Sequence, residues 1–476
     1  MDKFYITTSI AYTNAPPHIG FALELTQADV LARHNRKKGK ETFFLTGTDE
    51  HGQKIAKKAK KEGLSPQDFV DKVVESFEDL IEELNISNDE FVRTTDREKH
   101  WPTVEKIWKR LEKAGDIYKK EYTGYYCVGC EAFLTEKDLE DGICPHHGKA
   151  PEKVEEENYF FKLSEYEEEI KELISSDELQ IIPEGRKKEM LSFLEDGLND
   201  ISVSRSEEKL KWGIPVPGDD SQRMYVWIDA LSNYISALGY ADGDDEFDKF
   251  WPADVHCIGK DILRFHSIIW TGILLSAGLE VPKNIFVHGF ITSRGKKMSK
   301  SLGNVVDPFE LLEEYGTDPV RYYLLSEIPP TADGDFTHKK FRNKYNSDLA
   351  DGLGNLVSRT IGLANKMDIE FEKDRKAGGE IMKKVSQTEK KVDQLMNEYE
   401  FKKALEEIWN LIHFMDRYIE KKEPWKESWD QEKVIFEMMY VCYQLHELLN
   451  PFLPETAKKI KNQIENSNKE ILFQKI

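Results

Sequence analysis

Two short segments of the sequence carry residue types suited to holding a phosphate group. Pro17-His18-Ile19-Gly20 lies where a helix is predicted to begin after a strand-like run, so free backbone N–H groups and the positive end of the helix dipole would face a bound phosphate. His18 could donate a hydrogen bond there, and Gly20 would leave room for a flat base. The second segment, 295–304, places Lys297 and Lys300 between glycines, where two cations could neutralise charge on a departing phosphate group. Each segment alone also fits a simpler interpretation: the first is a tripeptide that can occur by chance, and the second could be a solvated basic loop.

A cluster of cysteines predicts a structural metal site. Three of the five cysteines stand in the pattern Cys-x2-Cys-x13-Cys-x2-His, which suits tetrahedral zinc with every position filled by protein and none left for water. The predicted ligands are Cys127, Cys130, Cys144 and His147. His146 is the alternative fourth ligand, but the x2 spacing favours His147. The other two cysteines, Cys257 and Cys442, lie in apolar contexts and are predicted to be buried.

These segments need elements that position them. Strand-like and helical stretches alternate, which predicts a parallel sheet whose ligands gather beyond the carboxyl ends of the strands. The predicted strands are 4–8, 42–46, 224–229, 255–260 and 284–290, with a helix from His18 to Arg36. The alternation lapses between about 115 and 212, which predicts an insertion. After residue 346 the pattern is helical, with no glycine between Glu380 and Ile476.

The composition limits the class of protein. With 476 residues, 39% hydrophobic and 11% aromatic, the chain can bury large cores and should form roughly three domains. It shows neither a signal-peptide pattern nor an apolar run of the roughly 20 residues that span a bilayer, so we expect a cytoplasmic protein without a membrane partner. The formal net charge of −21 opposes nucleic-acid binding overall. Since a local basic surface would be sufficient, charge leaves that question open.

The two phosphate-binding segments resemble the HIGH and KMSKS signatures of class I aminoacyl-tRNA synthetases. The sequence between them resembles the methionyl-tRNA synthetase family: TGTDEHG at 46–52, YVWIDA at 225–230 and IGKDI at 258–262, followed by Phe265-His266-Ser267, match that family in order. Phe21 is a departure, since it stands where HIGH has its second histidine. The resemblance covers nearly the whole chain. It implies methionine–tRNA ligase activity, in which methionine and ATP form methionyl-adenylate and the methionine passes to the 3′-terminal adenosine of tRNA.

The resemblance also implies a fold and partners. The fold class is α/β, with a Rossmann-type parallel-sheet catalytic domain, a zinc-knuckle insertion and a C-terminal all-α helical bundle. The implied domains are the catalytic halves at 1–115 and 221–291, the insertion at 116–220, a KMSKS-loop and stem-contact region at 292–345 and an anticodon-binding domain at 346–476. The expected ligands are ATP with Mg²⁺, L-methionine, one structural Zn²⁺ and tRNA(Met), including the initiator tRNA, and no DNA is expected. Because the sequence ends just beyond the helical domain, we expect a monomer.

Site residues follow from the resemblance, position by position. The ATP-binding residues are His18, Gly20, Gly259, Lys297, Met298, Ser299 and Lys300, of which His18, Lys297 and Lys300 are catalytic. The methionine-binding residues are Ile10, Tyr12, Asp49, Trp227, Ala230, Leu231, Tyr234, Ile262 and His266, with Asp49 on the substrate ammonium. The residues that read the CAU anticodon are Asn355, Arg359 and Trp425. Periodicity alone favours core positions for the pocket aromatics and a solvated helix face for Asn355 and Arg359.

Three other interpretations are open to similar signatures. A class I synthetase for a bulkier apolar amino acid should carry an editing domain in a far longer insertion than the predicted one. A small-molecule adenylating ligase would not need an anticodon-binding helical domain. A non-catalytic RNA-binding relative should have lost His18, Lys297 or Lys300, and all three are present.

Overall fold

The structure is a computed structural model that describes residues 2–129, 132–134, 139–145, 148–298 and 304–476, with the backbone alone at 122–123, 132–133 and 297. The strands are β1 (Lys3–Thr8), β2 (Ala11–Tyr12), β3 (Glu41–Asp49), β4 (Glu90–Arg93), β5 (Ile117–Cys127), β6 (Ala132–Leu134), β7 (Glu152–Phe161), β8 (Gln180–Ile182), β9 (Ile201–Ser202), β10 (Ser204–Ser206), β11 (Pro215–Val216), β12 (Asp219–Met224), β13 (Val255–Gly259), β14 (Asn284–His288), β15 (Ile291–Ser293), β16 (Lys296–Lys297) and β17 (Gly334–Phe336).

Helices follow the same chain order. They are α1 (Ile19–Lys37), α2 (Gln53–Glu62), α3 (Pro66–Glu83), α4 (Trp101–Ala114), α5 (Glu167–Ser176), α6 (Glu184–Glu195), α7 (Val226–Leu231), α8 (Asn233–Ser236), α9 (Asp245–Phe250), α10 (Thr271–Ser276), α11 (Pro308–Tyr315), α12 (Thr317–Ser326), α13 (His338–Lys344), α14 (Asn355–Lys366), α15 (Gly379–Asn397), α16 (Phe401–Lys422), α17 (Gln431–Leu449) and α18 (Pro454–Asn466). Phe265–Trp270 and Tyr345–Gly354 form π-helical turns.

The chain folds into two compact units. The first comprises Met1–Pro17, Gly39–Asp79 and Asn88–Val287, and the second comprises His18–Lys38, Leu80–Ser87 and His288–Ile476. The implied catalytic half at 1–115 is one segment, whereas the two units divide this range between them, because tertiary packing groups segments that are distant along the chain. Helix α1 therefore belongs to the second unit.

The first unit is built on a parallel central sheet. Its strands lie in the order β2-β3-β1-β13-β14-β8, with β4 paired to β3. β1 pairs in parallel with both β3 and β13, and β14 pairs in parallel with β8. β13 is buried along its whole length, as expected for a central strand covered on both faces. The predicted parallel sheet and the predicted strands at 4–8, 42–46, 255–260 and 284–290 are confirmed.

The predicted strand at 224–229 is wrong. Met224 ends β12, and the next residues, Val226–Leu231, form α7. A short run of aromatic and β-branched residues fits a strand or a buried helix equally well, so periodicity could not decide between them. The error matters because this segment carries several of the predicted methionine-binding residues.

Antiparallel strands replace the parallel pattern between residues 117 and 224. β5 pairs with β6 and β7, β7 pairs with β9, and β12 pairs with β10 and β11, all antiparallel. β8 lies in the same stretch of sequence, yet it pairs in parallel with β14 at the edge of the central sheet. The predicted insertion therefore also supplies a strand to the central sheet.

Helix α4 shows how one apolar stripe fixes an element of the first unit. Val104, Ile107, Trp108 and Leu111 recur at helical spacing and are all fully buried, which places one face of α4 in the core. The helix ends at Gly115, whose φ of 82° is the left-handed conformation that favours glycine. The start of α4 is thereby fixed next to His100, which lies in the candidate site.

A buried ion pair joins distant segments of the second unit. Arg321 of α12 is fully buried and donates to Asp29 Oδ2 of α1 at 2.7 Å. The guanidinium also donates to the carbonyl oxygens of Leu84, Pro451 and Phe452 at 3.0, 3.1 and 2.9 Å. Burial would raise the pKa of Asp29, but the charge of Arg321 holds it below its ordinary value. This pair fixes α1 within the second unit.

The second unit is otherwise mainly helical, and the predicted C-terminal helical region is confirmed. Helices α14 to α18 fill most of the chain after residue 354. Pro424 lies between α16 and α17, and Pro454 opens α18, positions at which proline does not interrupt a helix. Among the helices that the structure describes, none is long and apolar enough to cross a membrane.

Candidate functional site

β3 ends at Asp49, and its last residues are fixed against the neighbouring strands. Gly47 approaches β4 so closely that an added Cβ would stand 2.1 Å from the Val92 carbonyl oxygen, so no side chain fits there. Thr46 Oγ1 lies 2.7 Å from Thr8 Oγ1 of β1. The segment that begins at Thr46 is therefore held at the carboxyl edge of the sheet, where ligands of parallel α/β sheets bind.

Glu50 is a buried carboxylate whose two oxygens are both satisfied by protein donors. Arg93 donates to Oε1 from Nε at 2.7 Å and to Oε2 from Nη2 at 2.9 Å, and the Thr48 hydroxyl donates to Oε1 at 2.6 Å. The Thr95 hydroxyl donates to Oε2. A bidentate guanidinium–carboxylate pair with added hydroxyl donors can offset the desolvation cost of burying the carboxylate. Glu50 therefore positions the segment and does not face a substrate.

Asp229 of α7 holds two histidines in the buried interior. His51 Nδ1 lies 2.6 Å from Asp229 Oδ2, and His100 Nε2 lies 2.8 Å from Oδ1. Burial would raise the pKa of Asp229, but the two imidazoles hold it below its ordinary value. The backbone N–H of His51 in turn faces Asp49 Oδ1 at 3.4 Å. The network therefore connects α7 to the carboxylate at the end of β3.

Tyr12 and Asp49 stand side by side at the sheet edge. They are direct partners in the parallel pairing of β2 with β3, so their side chains project from the same face. The N–H and the hydroxyl of Thr13 both donate to the Asp49 carbonyl oxygen at 3.0 Å. Tyr12, Asp49 and Ile10 are all partly exposed. This edge can present an aromatic ring and a carboxylate to a small ligand.

Tyr234 and His266 form a hydrogen-bonded pair whose polar hydrogens are already used. His266 Nδ1 lies 2.9 Å from the Ile262 carbonyl oxygen, which can only accept, so Nδ1 carries the ring proton. His266 Nε2 therefore accepts from the Tyr234 hydroxyl at 2.7 Å. Burial lowers the pKa of His266 to about 4, so the ring is neutral near pH 7. The pair presents a polarisable but uncharged wall.

Trp227 covers this pair from α7. Its ring stacks on Phe265 with centroids 3.7 Å apart and meets His266 edge-on at 6.5 Å. The indole Nε1 is buried and has no acceptor among the residues that the structure describes. Ala230 and Leu231, on the same helix, are buried. Because Asp229 lies on α7 too, the helix brings the aromatic wall and the Asp49 network to one place in the first unit.

His18 caps the helix of the second unit that begins beside it. Its Nδ1 accepts from the N–H groups of Gly20 at 3.0 Å and Phe21 at 3.3 Å, so the proton of the neutral ring lies on Nε2, which is a donor. An added Cβ at Gly20 would stand 2.9 Å from the His18 ring. The structure therefore gives Gly20 a further task, that of leaving space for the histidine. Phe21, the departure from HIGH, is a buried core residue.

The other predicted ATP-binding residues are distributed over both units. Gly259 is the last residue of β13 in the first unit, at the carboxyl edge of the sheet. Lys297 ends β16, which pairs with β15 in the second unit, and Met298 follows it. Ser299 and Lys300 lie outside the described residues. The structure therefore describes the first residues of the second phosphate-binding segment but not the residues at its centre.

Two of the predicted zinc ligands are described. Cys127 and Cys144 are both buried. The carbonyl oxygen of Cys144 accepts from Gly148 N–H at 2.8 Å, and its own N–H donates to the Lys149 carbonyl oxygen at 3.0 Å, so Cys144 and Lys149 face each other in an antiparallel bridge. Cys130 and His147 lie outside the described residues, as does the alternative ligand, His146. Within the described part of the chain, no group of His, Cys, Asp and Glu side chains forms a metal site.

The predicted anticodon residues lie together in the second unit. Asn355 begins α14 and Arg359 follows one turn later, so both lie on one helix face as predicted. The Arg359 guanidinium carbon stands 5.8 Å from the centroid of the Trp425 ring, within the range of a cation–π contact. Trp425 exposes 46% of its surface. The three residues form a surface suited to stacking and edge recognition of unpaired bases.

The sequence did not identify the positioning residues around Asp49. Asp229 stands inside the quoted segment 225–230, where an ionisable residue within an apolar run was the available signal, and His51 stands inside the polar segment 46–52. His100 gives no such signal, because it lies in a polar stretch and its role depends on a contact with a residue 129 positions away. Its function emerges only from the tertiary structure.

Two family models match the chain. A family described as tRNA synthetases class I (M) matches residues 4–150 and 136–361. A second, described as anticodon-binding domain of tRNA ligase, matches residues 379–476. The second match includes Trp425, and the first includes Asn355 and Arg359.

Individual relatives match nearly the whole of this chain. The chain is 46% identical to the methionine–tRNA ligase of Clostridium acetobutylicum over 97% of this chain and 73% of that protein. It is 41% identical to that of Brucella suis over 96% of this chain and 91% of that protein. A structure of Mycobacterium tuberculosis methionyl-tRNA synthetase in complex with methionyl-adenylate superposes with a TM-score of 0.92 at 37% identity, covering 98% of this chain and 96% of that one. The chain belongs to the methionyl-tRNA synthetase family of class I aminoacyl-tRNA synthetases.

Proposed function

We propose that this chain activates L-methionine with ATP and charges tRNA(Met), and that methionine binds at the carboxyl edge of the central sheet of the first unit. The observation that carries the site is the hydrogen-bonded chain from Tyr234 through His266 to the Ile262 carbonyl oxygen. The polar hydrogens of this pair are already used, so Tyr234 and His266 offer a ligand no free donor. A thioether is a weak acceptor and polarisable, and it suits such a wall.

In this proposal Asp49 binds the α-ammonium group of methionine. The carboxylate lies beside Tyr12 at the end of β3 and is positioned by His51 and Asp229. The side chain of the substrate would occupy the aromatic region. Its proposed lining is Ile10, Tyr12, Trp227, Ala230, Leu231, Tyr234, Ile262 and His266.

Activation needs no nucleophile from the protein. The methionine carboxylate attacks the α-phosphorus of ATP, the bond to the β-phosphate breaks, and methionyl-adenylate and pyrophosphate form. His18 would donate from Nε2 to a phosphate oxygen, while Lys297 and Lys300 offset the charge that develops, so positioning and electrostatics lower the barrier. Gly20, Gly259, Met298 and Ser299 complete the proposed ATP-binding set, and Mg²⁺ would accompany ATP.

Transfer and tRNA selection follow. The 2′-hydroxyl of the terminal adenosine attacks the carbonyl carbon of the adenylate, and AMP leaves. Asn355, Arg359 and Trp425 would read the CAU anticodon by stacking and edge hydrogen bonds. Because the initiator and elongator tRNAs for methionine share this anticodon, one surface would serve both. The cytoplasmic location and the monomeric state stay predictions.

A structural zinc ion is part of the proposal. Cys127 and Cys144 are buried free cysteines, and their thiolates would be two of the ligands. Cys130 and His147 would complete a tetrahedral set that leaves no position open for a substrate. The ion would therefore stabilise the fold of this region and take no part in the reaction.

The direct test is charging of tRNA transcripts that differ only in the anticodon. We expect methionine to be esterified to a transcript with CAU. A substitution at the first anticodon base should lower kcat/KM at least tenfold while methionine-dependent pyrophosphate exchange, which needs no tRNA, stays the same. Equal charging of both transcripts would contradict anticodon reading, and no charging of either would contradict the function itself.

A further inference from the structure

An unusually exposed tryptophan lies close in sequence to the proposed anticodon surface. Trp429 exposes 95% of its surface, compared with 46% for Trp425 and 70% for Ile471. An indole carries a large apolar area that folding normally removes from water. A ring left almost wholly outside presents its aromatic face to solvent, where a nucleobase can stack on it.

The loop that carries Trp429 is held in place by its own contacts. This loop, residues 423–430, begins with Glu423 in the left-handed conformation. Lys422 and Asp430 close it with an ion pair of 2.8 Å, and Gln431 Nε2 donates to the Pro424 carbonyl oxygen at 2.9 Å. Its exposed ring is therefore presented by an ordered turn.

The charges of this loop do not favour binding of phosphate. The Lys426 ammonium donates to both carboxylate oxygens of Glu423 at 2.7 and 2.8 Å, and Lys422 is paired with Asp430. Neutralised lysines contribute little to a phosphate contact. What the loop offers a nucleic acid is the face of an aromatic ring, and bases stack on such faces irrespective of sequence.

We propose that Trp429 stacks on a second unpaired base of the tRNA anticodon loop, beside the base that Trp425 contacts. The inference rests on the proposed function of this chain. The two tryptophans are four residues apart in one loop, and the anticodon-binding match at 379–476 spans both. The ligand is an unpaired nucleobase, and the contribution of Trp429 is binding energy for tRNA rather than chemistry.

Three substitutions in the full-length chain separate stacking from other roles. Trp429→Ala should weaken binding of a CAU tRNA transcript by about 5- to 150-fold, the range for loss of one stacked base. Trp429→Leu keeps an apolar side chain without a ring face and should lose as much. Trp429→Phe should retain most of the affinity. Ile471→Ala, which removes another exposed apolar side chain, is the control and should bind normally.

Salt dependence and a paired competitor complete the test. Because stacking releases no counterions, Trp429→Ala should leave the slope of log K against log salt unchanged. Binding of an RNA duplex without a loop should be the same in the variant and the wild type. Unchanged tRNA affinity, a slope reduced by about 0.7, or retention of affinity by the leucine variant would overturn the proposal. A wild-type chain that fails to charge tRNA would instead reject the proposed function. Loss of pyrophosphate exchange by Trp429→Ala would show that the ring has a structural role, and this result would also overturn the stacking proposal.

Discussion

Replacing Gly20 with alanine should displace the His18 ring without unfolding α1. A Cβ at residue 20 would stand 2.9 Å from both Cε1 and Nδ1 of His18, whereas carbon atoms in contact prefer about 3.5 to 4.0 Å. The ring belongs to a side chain that can rotate, so the ring rather than the backbone must move. Movement breaks the bonds from the N–H groups of Gly20 and Phe21. The Nε2 donor then no longer points where a phosphate is expected.

The effects on stability and catalysis should separate. Loss of the cap costs about 1 kcal/mol, and alanine in place of glycine within a helix contributes about 1 kcal/mol in return. The free energy of unfolding should therefore stay within about 1 kcal/mol of the wild type. A displacement of about 1 Å in a catalytic group can cost roughly 100-fold in rate. We expect kcat for pyrophosphate exchange to fall by that amount while the KM for methionine stays the same.

Gly185 supplies a matched control. It is likewise the second residue of a helix, α6, and a Cβ there meets nothing within 4 Å in the described structure. Gly185→Ala should leave exchange unchanged and raise the free energy of unfolding by up to about 1 kcal/mol. Pyrophosphate-exchange assays and urea unfolding of both variants would measure the two effects. Wild-type exchange by Gly20→Ala would refute the reasoning, as would a large loss of stability in that variant alone.

Three further predictions concern stability. Arg321→Met removes one of the two guanidinium partners of buried Asp29, the other being Arg33, and leaves three carbonyl oxygens without this donor. The free energy of unfolding should therefore fall by about 3 to 5 kcal/mol, and a change below about 1 kcal/mol in urea unfolding would contradict this. Because burial lowers the pKa of His266 from 6.5 to about 4, its contribution is complete above pH 6.5 and is lost as the pH falls toward 4. Relative to His266→Gln, the wild type should therefore lose about 2 kcal/mol more between pH 7 and pH 5, and parallel pH profiles would show that this pKa is not lowered. Protein purified without chelators should contain one equivalent of zinc and Cys127→Ser none, with a lower melting temperature; absence of zinc from the wild type would reject the site.

The central strands could be predicted from sequence because short β-rich runs alternate with helical segments along the chain. The runs at 4–8 and 255–260 are such segments, and both form strands of the central sheet. The run at 224–229 looks similar but is divided between β12 and α7. Length and residue type do not separate the two outcomes, and only packing against the rest of the unit selects the helix.

The sequence could indicate individual residues of the candidate site, but it could not indicate the residues that position them. Asp49 stands in a segment that the family resemblance identifies, and the structure places it at a strand end beside Tyr12. The connection from Asp49 through His51 to Asp229 and His100 depends on contacts between distant segments. Such contacts leave no periodic signal in the sequence.

The reason for Gly20 also came from the structure. The sequence suggested that glycine leaves room for a base, whereas the coordinates show the His18 ring occupying the space next to it. That outcome depends on one side-chain torsion, which pattern analysis cannot supply. The conformation of His18 is thus a structural finding with a direct consequence for catalysis.

Pyrophosphate exchange measured with each of the twenty amino acids tests the central claim most directly. The assay needs only the chain, ATP, Mg²⁺, labelled pyrophosphate and one amino acid, so it reports the activation site without tRNA. We expect rapid exchange with methionine and a kcat/KM at least 100-fold lower with each of the other nineteen, because an uncharged, polarisable aromatic wall and a carboxylate for the ammonium group favour an unbranched thioether. Faster exchange with another amino acid, or none with methionine, would contradict the account.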